Sequence, residues 1–177
     1  MITPLLGLAK FFKKNKLDAV LISSHSNIVY LTNYSGFSKV EREAYLFITD
    51  NKQYILTDGR YSQAVKTLIA DFKLIEISPK LSAMDVLKKL VKKHKIKKLG
   101  FEGHNLTHLE YKRLSKNIKN MSHVSLASLR ITKTSKEISL IEKACRLGDK
   151  TFDYILKKIK LGVSEKEIAF EIEFFIK

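Results

Sequence analysis

Residues with chemical potential cluster first at Asp58-Gly59-Arg60-Tyr61, where an acid, a glycine and a cation follow the apolar run Gln53 to Thr57. A glycine between a buried strand and a helix is where phosphate loops and active-site corners are built. A phosphate loop needs further glycines or a Gly-Lys-Ser/Thr ending, and Gly59 stands alone, so that reading fails. Asp58 reads instead as the cap or turn acceptor that opens a helix, with Gly59 permitting the tight backbone. Tyr61 and Ala64 become candidate packing positions. Arg60 either braces a loop or interface or reaches a cleft.

His104 and His108 stand four apart, a spacing that can chelate a metal when both lie on one helix face. Thr107, with Glu110 at capping-box spacing, is the expected helix cap and leaves His104 in the preceding loop. No glutamate follows His104 as a zincin requires, and Glu102 and Glu110 complete no recognised ligand set. No metal site is expected in this chain. His25 and His123 are isolated in sequence and read as structural. Cys145 has no partner for an internal disulfide and falls on an apolar helix face, which predicts a buried, inert thiol.

The elements that must position these residues follow from length and periodicity. With 177 residues and 45% hydrophobic content, the chain fits one medium domain and part of another. A helix is predicted over Pro4 to Asn15, with proline in its first turn, and a buried strand over Asp18 to Ser23. Ser24, Ser26 and Asn27 offer caps for a brief helix. Ala44 to Thr49 and Gln53 to Thr57 form a hairpin, and a helix spans Arg60 to Ile69. Strands at Phe72 to Ile77, Lys98 to Glu102 and Ser122 to Ala127 alternate with helices from Met84 to His94 and from Thr107 onward. The expectation is a mixed six-stranded α/β sheet flanked by helices.

The pattern becomes purely helical after Leu129, giving boundaries at residues 1–129 and 130–177. Thr134 with Glu137, and Ser164 with Glu167, make capping boxes. Ile138, Ile141, Cys145, Gly148, Phe152, Ile155 and Ile159 keep helical spacing, Gly162 reads as a helix stop, and Ile168, Ile172, Phe175 and Ile176 form a second stripe. Such stripes are expected to pack onto a further layer. Because the sequence ends within a helical pattern, it is expected to be an excised piece of a longer chain.

Charge and hydropathy narrow the function classes. No window approaches the roughly 18 to 20 apolar residues that span a bilayer, and the lysines of the N-terminal stretch follow its apolar residues, the reverse of a secretory signal. A cytoplasmic protein without membrane association is expected. The net charge of +15 comes mainly from lysine; only Arg42, Arg60, Arg113, Arg130 and Arg146 offer a guanidinium fork. Lysines between Lys88 and Lys98 surround Leu87, Leu90 and Val91 at helical spacing, as on a solvated helix face. Nucleic-acid binding is not expected.

Four segments occur in a recognisable order: "SNIVYLTNYSGFS", "YILTDGRYSQA", "LGFEGHNLTHLEYKRL" and the run from "LRITKTSKE" through "EIEFF". Together they resemble Xaa-Pro aminopeptidases and Xaa-Pro dipeptidases of the creatinase, prolidase and methionine aminopeptidase superfamily, across nearly the whole chain. The resemblance implies a creatinase-type N-terminal α/β domain, followed from about Arg130 by the first two helices of a truncated pita-bread metallopeptidase domain. It implies that the intact parent binds two divalent metal ions (manganese, cobalt or zinc) through two aspartates, a histidine and two glutamates. All of these lie beyond the position equivalent to Lys177.

The parent is thus expected to be a homodimeric hydrolase that cleaves proline-containing peptides before proline, and this chain alone to be inactive. Its own role would be closing the substrate cleft and making dimer contacts. The Thr32 to Glu43 loop is long, polar and aromatic, as functional loops often are. Tyr34, Phe37 and Arg42 within it, with Arg60, are the candidate substrate-binding residues; an arginine there can pair with a peptide carboxylate. The alternatives are an ordinary surface loop with Phe37 folded onto the core and, for the whole protein, a non-catalytic relative that binds peptides or proteins.

Overall fold

The computed structural model describes the backbone of residues 3–177 and the side chains from Gly7 onward; Pro4 lies outside those side chains. Helix α1 (Thr3–Asn15) buries Leu8 and Phe12 and stops at Lys16, whose φ of 51° is left-handed. Strand β1 (Ala19–Ile22) then leads into α2 (His25–Thr32), and the Thr32 to Glu43 loop leads into β2 (Ala44–Thr49) and β3 (Gln53–Asp58). A single 3-10 turn, Gly59–Tyr61, opens α3 (Ser62–Leu68). β4 (Lys73–Ile77), α4 (Ala83–Lys93), β5 (Leu99–Phe101), α5 (His108–Ser115), β6 (Met121–His123) and the short α6 (Ser128–Ile131) follow.

The sheet has six strands in the order β4-β3-β2-β1-β5-β6. Strand β2 runs antiparallel to β1 and β3, while the remaining pairs are parallel. The carboxyl ends of β1, β3, β4, β5 and β6 therefore meet the amino end of β2 along one rim. Alternation with period two divides the core between the sheet faces. Val20, Ile22, Leu46, Ile48 and Ile55 pack with α1, α2 and α3 on one side; Leu21, Phe47, Tyr54 and Leu56 pack with α4 and α5 on the other. Gly100 allows close approach on the first side, since a Cβ there would sit 2.9 Å from Leu17 Cδ1 and 3.2 Å from Val20 Cγ2.

Three expectations are corrected. Gly59 does not adopt a left-handed φ; what favours a small residue there is the Glu76 carboxylate, 3.3 Å from where a Cβ would lie. Ser24 occupies the cap position of α2 without making a side-chain cap bond. The strand predicted over Ser122 to Ala127 is assigned only at Met121–His123, because its partner β5 ends at Phe101; Val124 and Leu126 continue into the core beyond it.

The chain divides into two compact units, Met1–Leu129 and Arg130–Lys177. The second contains α7 (Ser135–Leu156) and α8 (Glu165–Ile176), both opened by the expected capping boxes. Tyr154 stacks on Phe175 at 4.5 Å, and Lys158 meets Glu171 at 3.2 Å. Of the predicted α7 stripe Ile155 is buried, whereas Ile138, Ile141, Phe152 and Ile159 are exposed. Cys145 is exposed too, contrary to the buried thiol expected; a helix pair covers one shared side only. Helix α7 ends at Leu156, so Gly162, at φ 89°, lies in the connection to α8 and does not stop α7. No described helix is long and apolar enough to cross a membrane.

Candidate functional site: the carboxyl-end rim of the sheet

Ligands of open α/β sheets bind outside the carboxyl ends of the strands, and several buried polar residues of the first unit, among them Ser23, Ser24, Glu43 and Glu102, lie there. Glu102, immediately after β5, is completely buried. Its carboxylate accepts from Ser23 N (2.6 Å), Ser24 N (2.8 Å), Ser24 Oγ (2.7 Å) and Asn27 Nδ2. These donors form the corner between β1 and α2, so an acidic group occupies the helix N-terminus, where free N–H groups and the dipole favour negative charge. The Ser24 hydroxyl donates to Glu102 and makes no side-chain cap bond to its own helix.

Arg42 ties the long loop to this corner. Its Nη1 donates to Ser23 O and Asn105 Oδ1, its Nη2 donates to Asn105 O at 2.6 Å, and its Nε lies 3.4 Å from Glu110 Oε1. The Tyr45 hydroxyl donates to the same Glu110 oxygen, and the guanidinium stands 5.4 Å from the Tyr45 ring centre. Burial, then the bond to Glu110, pushes the Tyr45 hydroxyl pKa up. Desolvation pushes Glu110 upward, but hydrogen bonds from Tyr45 and the Thr107 N–H, with the Arg42 charge, outweigh it and hold the carboxyl below its ordinary value.

On the other side of the loop, Glu43 is buried and accepts from Ser38 N, with Arg60 Nη2 at 3.4 Å. Arg60 also forks onto Asp58 (Nε to Oδ1 3.0 Å, Nη2 to Oδ2 2.8 Å), while Asp58 caps the following turn by accepting from Arg60 N at 2.9 Å. Phe37 is in the core, with ring centres 4.9 Å from those of both Tyr34 and Tyr61. A hydrogen bond to Glu43 is the main cause that pushes the Tyr61 hydroxyl up to about 12. The same bond, then the Ser38 N–H, draws Glu43 below its ordinary value, and Arg60 does so for Asp58.

All four candidate contact residues thus lie on one rim. Tyr34, Phe37, Tyr61 and Arg60 form one chain of contacts, and Arg42 lies on the opposite flank of Glu43. They differ in access: the Arg60 side chain is 64% exposed and that of Arg42 24%, while Phe37 has its ring in the core. Sequence reasoning missed the Glu102 corner and Glu43. The one local signal for Glu102 is an acid directly after a buried apolar strand.

Because the folded-state pKa values of Glu43, Asp58 and Glu110 are lowered, their stabilisation is complete above the unfolded carboxylate pKa and is lost as pH falls through the lower folded values. The urea midpoint is expected to be level down to about pH 5 and to drop below about 4.3. Glu43→Gln should drop less steeply; an unchanged acid limb would show that Glu43 makes no contribution.

The histidines do not converge on a cation. His104 is exposed in the loop, His108 opens α5, and the His104 ring lies 6.4 Å, centre to centre, from His123, which is therefore not isolated. Among the described residues no group of three or more His, Cys, Asp or Glu side chains is placed to hold a metal. The residues present do not fit a two-metal centre.

This architecture, a mixed sheet with one antiparallel strand inserted among parallel ones and helices on both faces, defines an α/β domain. The sequence matches the Creatinase/Prolidase N-terminal domain over residues 5–132, and the chain belongs to that family. It is 31% identical over 174 residues to an uncharacterized peptidase of Bacillus subtilis, covering 96% of this chain and 47% of that protein. It is 30% identical over 173 residues to the Xaa-Pro dipeptidase of Pyrococcus horikoshii, covering 95% and 46% respectively. Among solved structures, the Xaa-Pro dipeptidase from Bacillus anthracis superposes with a TM-score of 0.80 at 27% identity, over 98% of this chain and 48% of the other. The chain spans about half the length of these curated relatives.

Proposed function

We propose that this chain is the N-terminal half of a metal-dependent Xaa-Pro peptidase of the cytoplasm. In this reading residues 1–129 are the creatinase-type domain and residues 130–177 begin the pita-bread catalytic domain. The observation that carries it is the family match, with dipeptidases and aminopeptidases aligned across both units. The rim supports the assignment of roles: it gathers Tyr34, Phe37, Arg42 and Arg60 around a loop fixed at both flanks. The rim would border the substrate cleft, with Arg60 offering the more open guanidinium to a peptide carboxylate and Arg42 setting the loop's position. Dimer contacts belong to the same half. The divalent ions act on residues other than those described here.

Two assays test the reading. The 177-residue chain, its mass confirmed, is expected to hydrolyse neither Xaa-Pro dipeptides nor longer peptides with manganese, cobalt or zinc added; turnover above a mock preparation overturns this. In the protein that carries the catalytic half, Arg42→Ala and Arg60→Ala are each expected to lower kcat/KM by about tenfold, equivalent to about 1.4 kcal/mol of transition-state stabilisation. An unchanged value removes that residue from the cleft.

A further inference from the structure

We infer that the groove between α4 and the end of α5 is a docking surface for a nucleic-acid strand, held through its phosphates without regard to base sequence. The groove is open, about 520 Å³ in volume, and its walls are Lys88, Val91, Lys92, Lys95, Ile96 and Asn117. The lysines are exposed, while Val91 is buried and Ile96 half-buried. Both helices pack on the same face of the sheet, so the cations of one add to those of the other. Asn117 Nδ2 donates to Arg113 O at 3.1 Å, which places Arg113 one helical turn from the groove wall.

The charge on this face is unbalanced. Seven lysines lie from Lys88 to Lys98 with no Asp or Glu among them. A solvated helix face ordinarily mixes signs, since opposite charges at i and i+4 attract and like charges repel. Helices α7 and α8 follow that rule, with the pairs Glu142–Arg146 and Glu173–Lys177. Helices α4 and α5 break it: Lys88 with Lys92, Lys89 with Lys93, and Lys112 with Lys116 are like-charged at the same spacing. Among the described residues the one ion pair made by these lysines is that of Lys88 with Asp85, at 3.7 Å; Glu110 is turned to Arg42 and Tyr45. Sequence spacing alone makes the Lys88 to Lys98 run a solvated face, and the fold sets a second basic element beside it.

A phosphodiester backbone supplies single negative charges in a row, which relieve this repulsion and release counterions on binding. Lysine fixes the mode. Its ammonium meets a phosphate as a point charge, and Arg113 is the one arginine between residues 85 and 129, too few forks to read base edges. A membrane surface fits less well, because the apolar face of α4, formed by Met84, Val86, Leu87, Leu90 and Val91, is buried against the sheet and does not face a bilayer.

Fluorescence anisotropy of a labelled single-stranded oligonucleotide of about 20 residues, titrated with the 177-residue chain, tests this. Contact with about four phosphates gives a salt slope of about −2.8, so affinity is expected to fall roughly 50-fold between about 50 and 200 mM salt. No binding at the lower salt, or a fall of less than about fivefold, overturns the inference. Lys88→Glu, Lys92→Glu and Lys95→Glu together are expected to weaken binding by more than about tenfold, and the same charge change on α7, Lys136→Glu with Lys143→Glu and Lys150→Glu, by less than about threefold. Equal loss from the two folded triple variants overturns the groove as the site; should the groove triple fail to fold, Lys92→Gln alone is expected to cost about threefold, and no loss there overturns it equally. A second oligonucleotide of unrelated sequence is expected to bind within about threefold of the first, and a larger preference overturns the backbone mode. Tighter binding to phosphatidylserine vesicles than to the oligonucleotide overturns nucleic acid as the partner.

Discussion

Glu102→Ala is expected to destabilise the first unit by about 4 kcal/mol, read as a fall in the urea midpoint of roughly 2 M. The carboxylate is completely buried, and its removal leaves two backbone N–H groups, a hydroxyl and a side-chain amide without their acceptor. Each costs about 1–3 kcal/mol if left dry, and relaxation recovers part of the sum. Since domains of this size have about 5–15 kcal/mol in total, the variant should be at the margin of folding. Glu102→Gln is expected to lie between the two, because its amide nitrogen must face donors with a donor. A midpoint within 0.5 M of the parent value, as an approximate bound, would show that the corner is held by other means.

Arg42 gives the second large effect, for a different reason. Arg42→Ala is expected to cost about 3 kcal/mol, since it removes the donors to Ser23 O, Asn105 O and Asn105 Oδ1 and leaves Glu110 without its cation. Arg42→Lys should recover less than half of this, because an ammonium cannot reproduce the planar fork that spans two backbone carbonyls. Thermal or urea unfolding of both variants measures the difference; equal stability of the lysine variant and the parent would show that charge, not the fork, is what matters. The kinetic comparison at Arg42 is therefore meaningful only where both proteins are fully folded.

The two arginines also show what the sequence made legible. Strand β2 and the start of β3 were predicted at their observed residues because apolar runs bounded by turn residues carry their own boundaries. Asp58 as a cap and Thr107 with Glu110 as a capping box were legible because cap and partner lie within three residues. Glu102 was not, since its partners are 75 to 79 positions away and only the parallel pairing of β1 with β5 brings them together. The exposure of Cys145 was hidden for a related reason: spacing identifies an apolar face but not what covers it.

The order of the strands has a consequence for how the chain acquires its structure. β1, β2, β3 and β4 are contiguous both in sequence and in space, so most of the sheet can assemble from the first 77 residues. The remaining neighbour of β1 is β5, whose pairing closes a loop of about 80 residues at an entropic cost of about 4 kcal/mol. Until that closure, the apolar edge Ala19–Ile22 presents unpaired backbone groups, the kind of surface that recruits other chains. Glu102 is the latch that arrives with β5, so its hydrogen bonds form in the step that ends the nascent protein's exposure to aggregation.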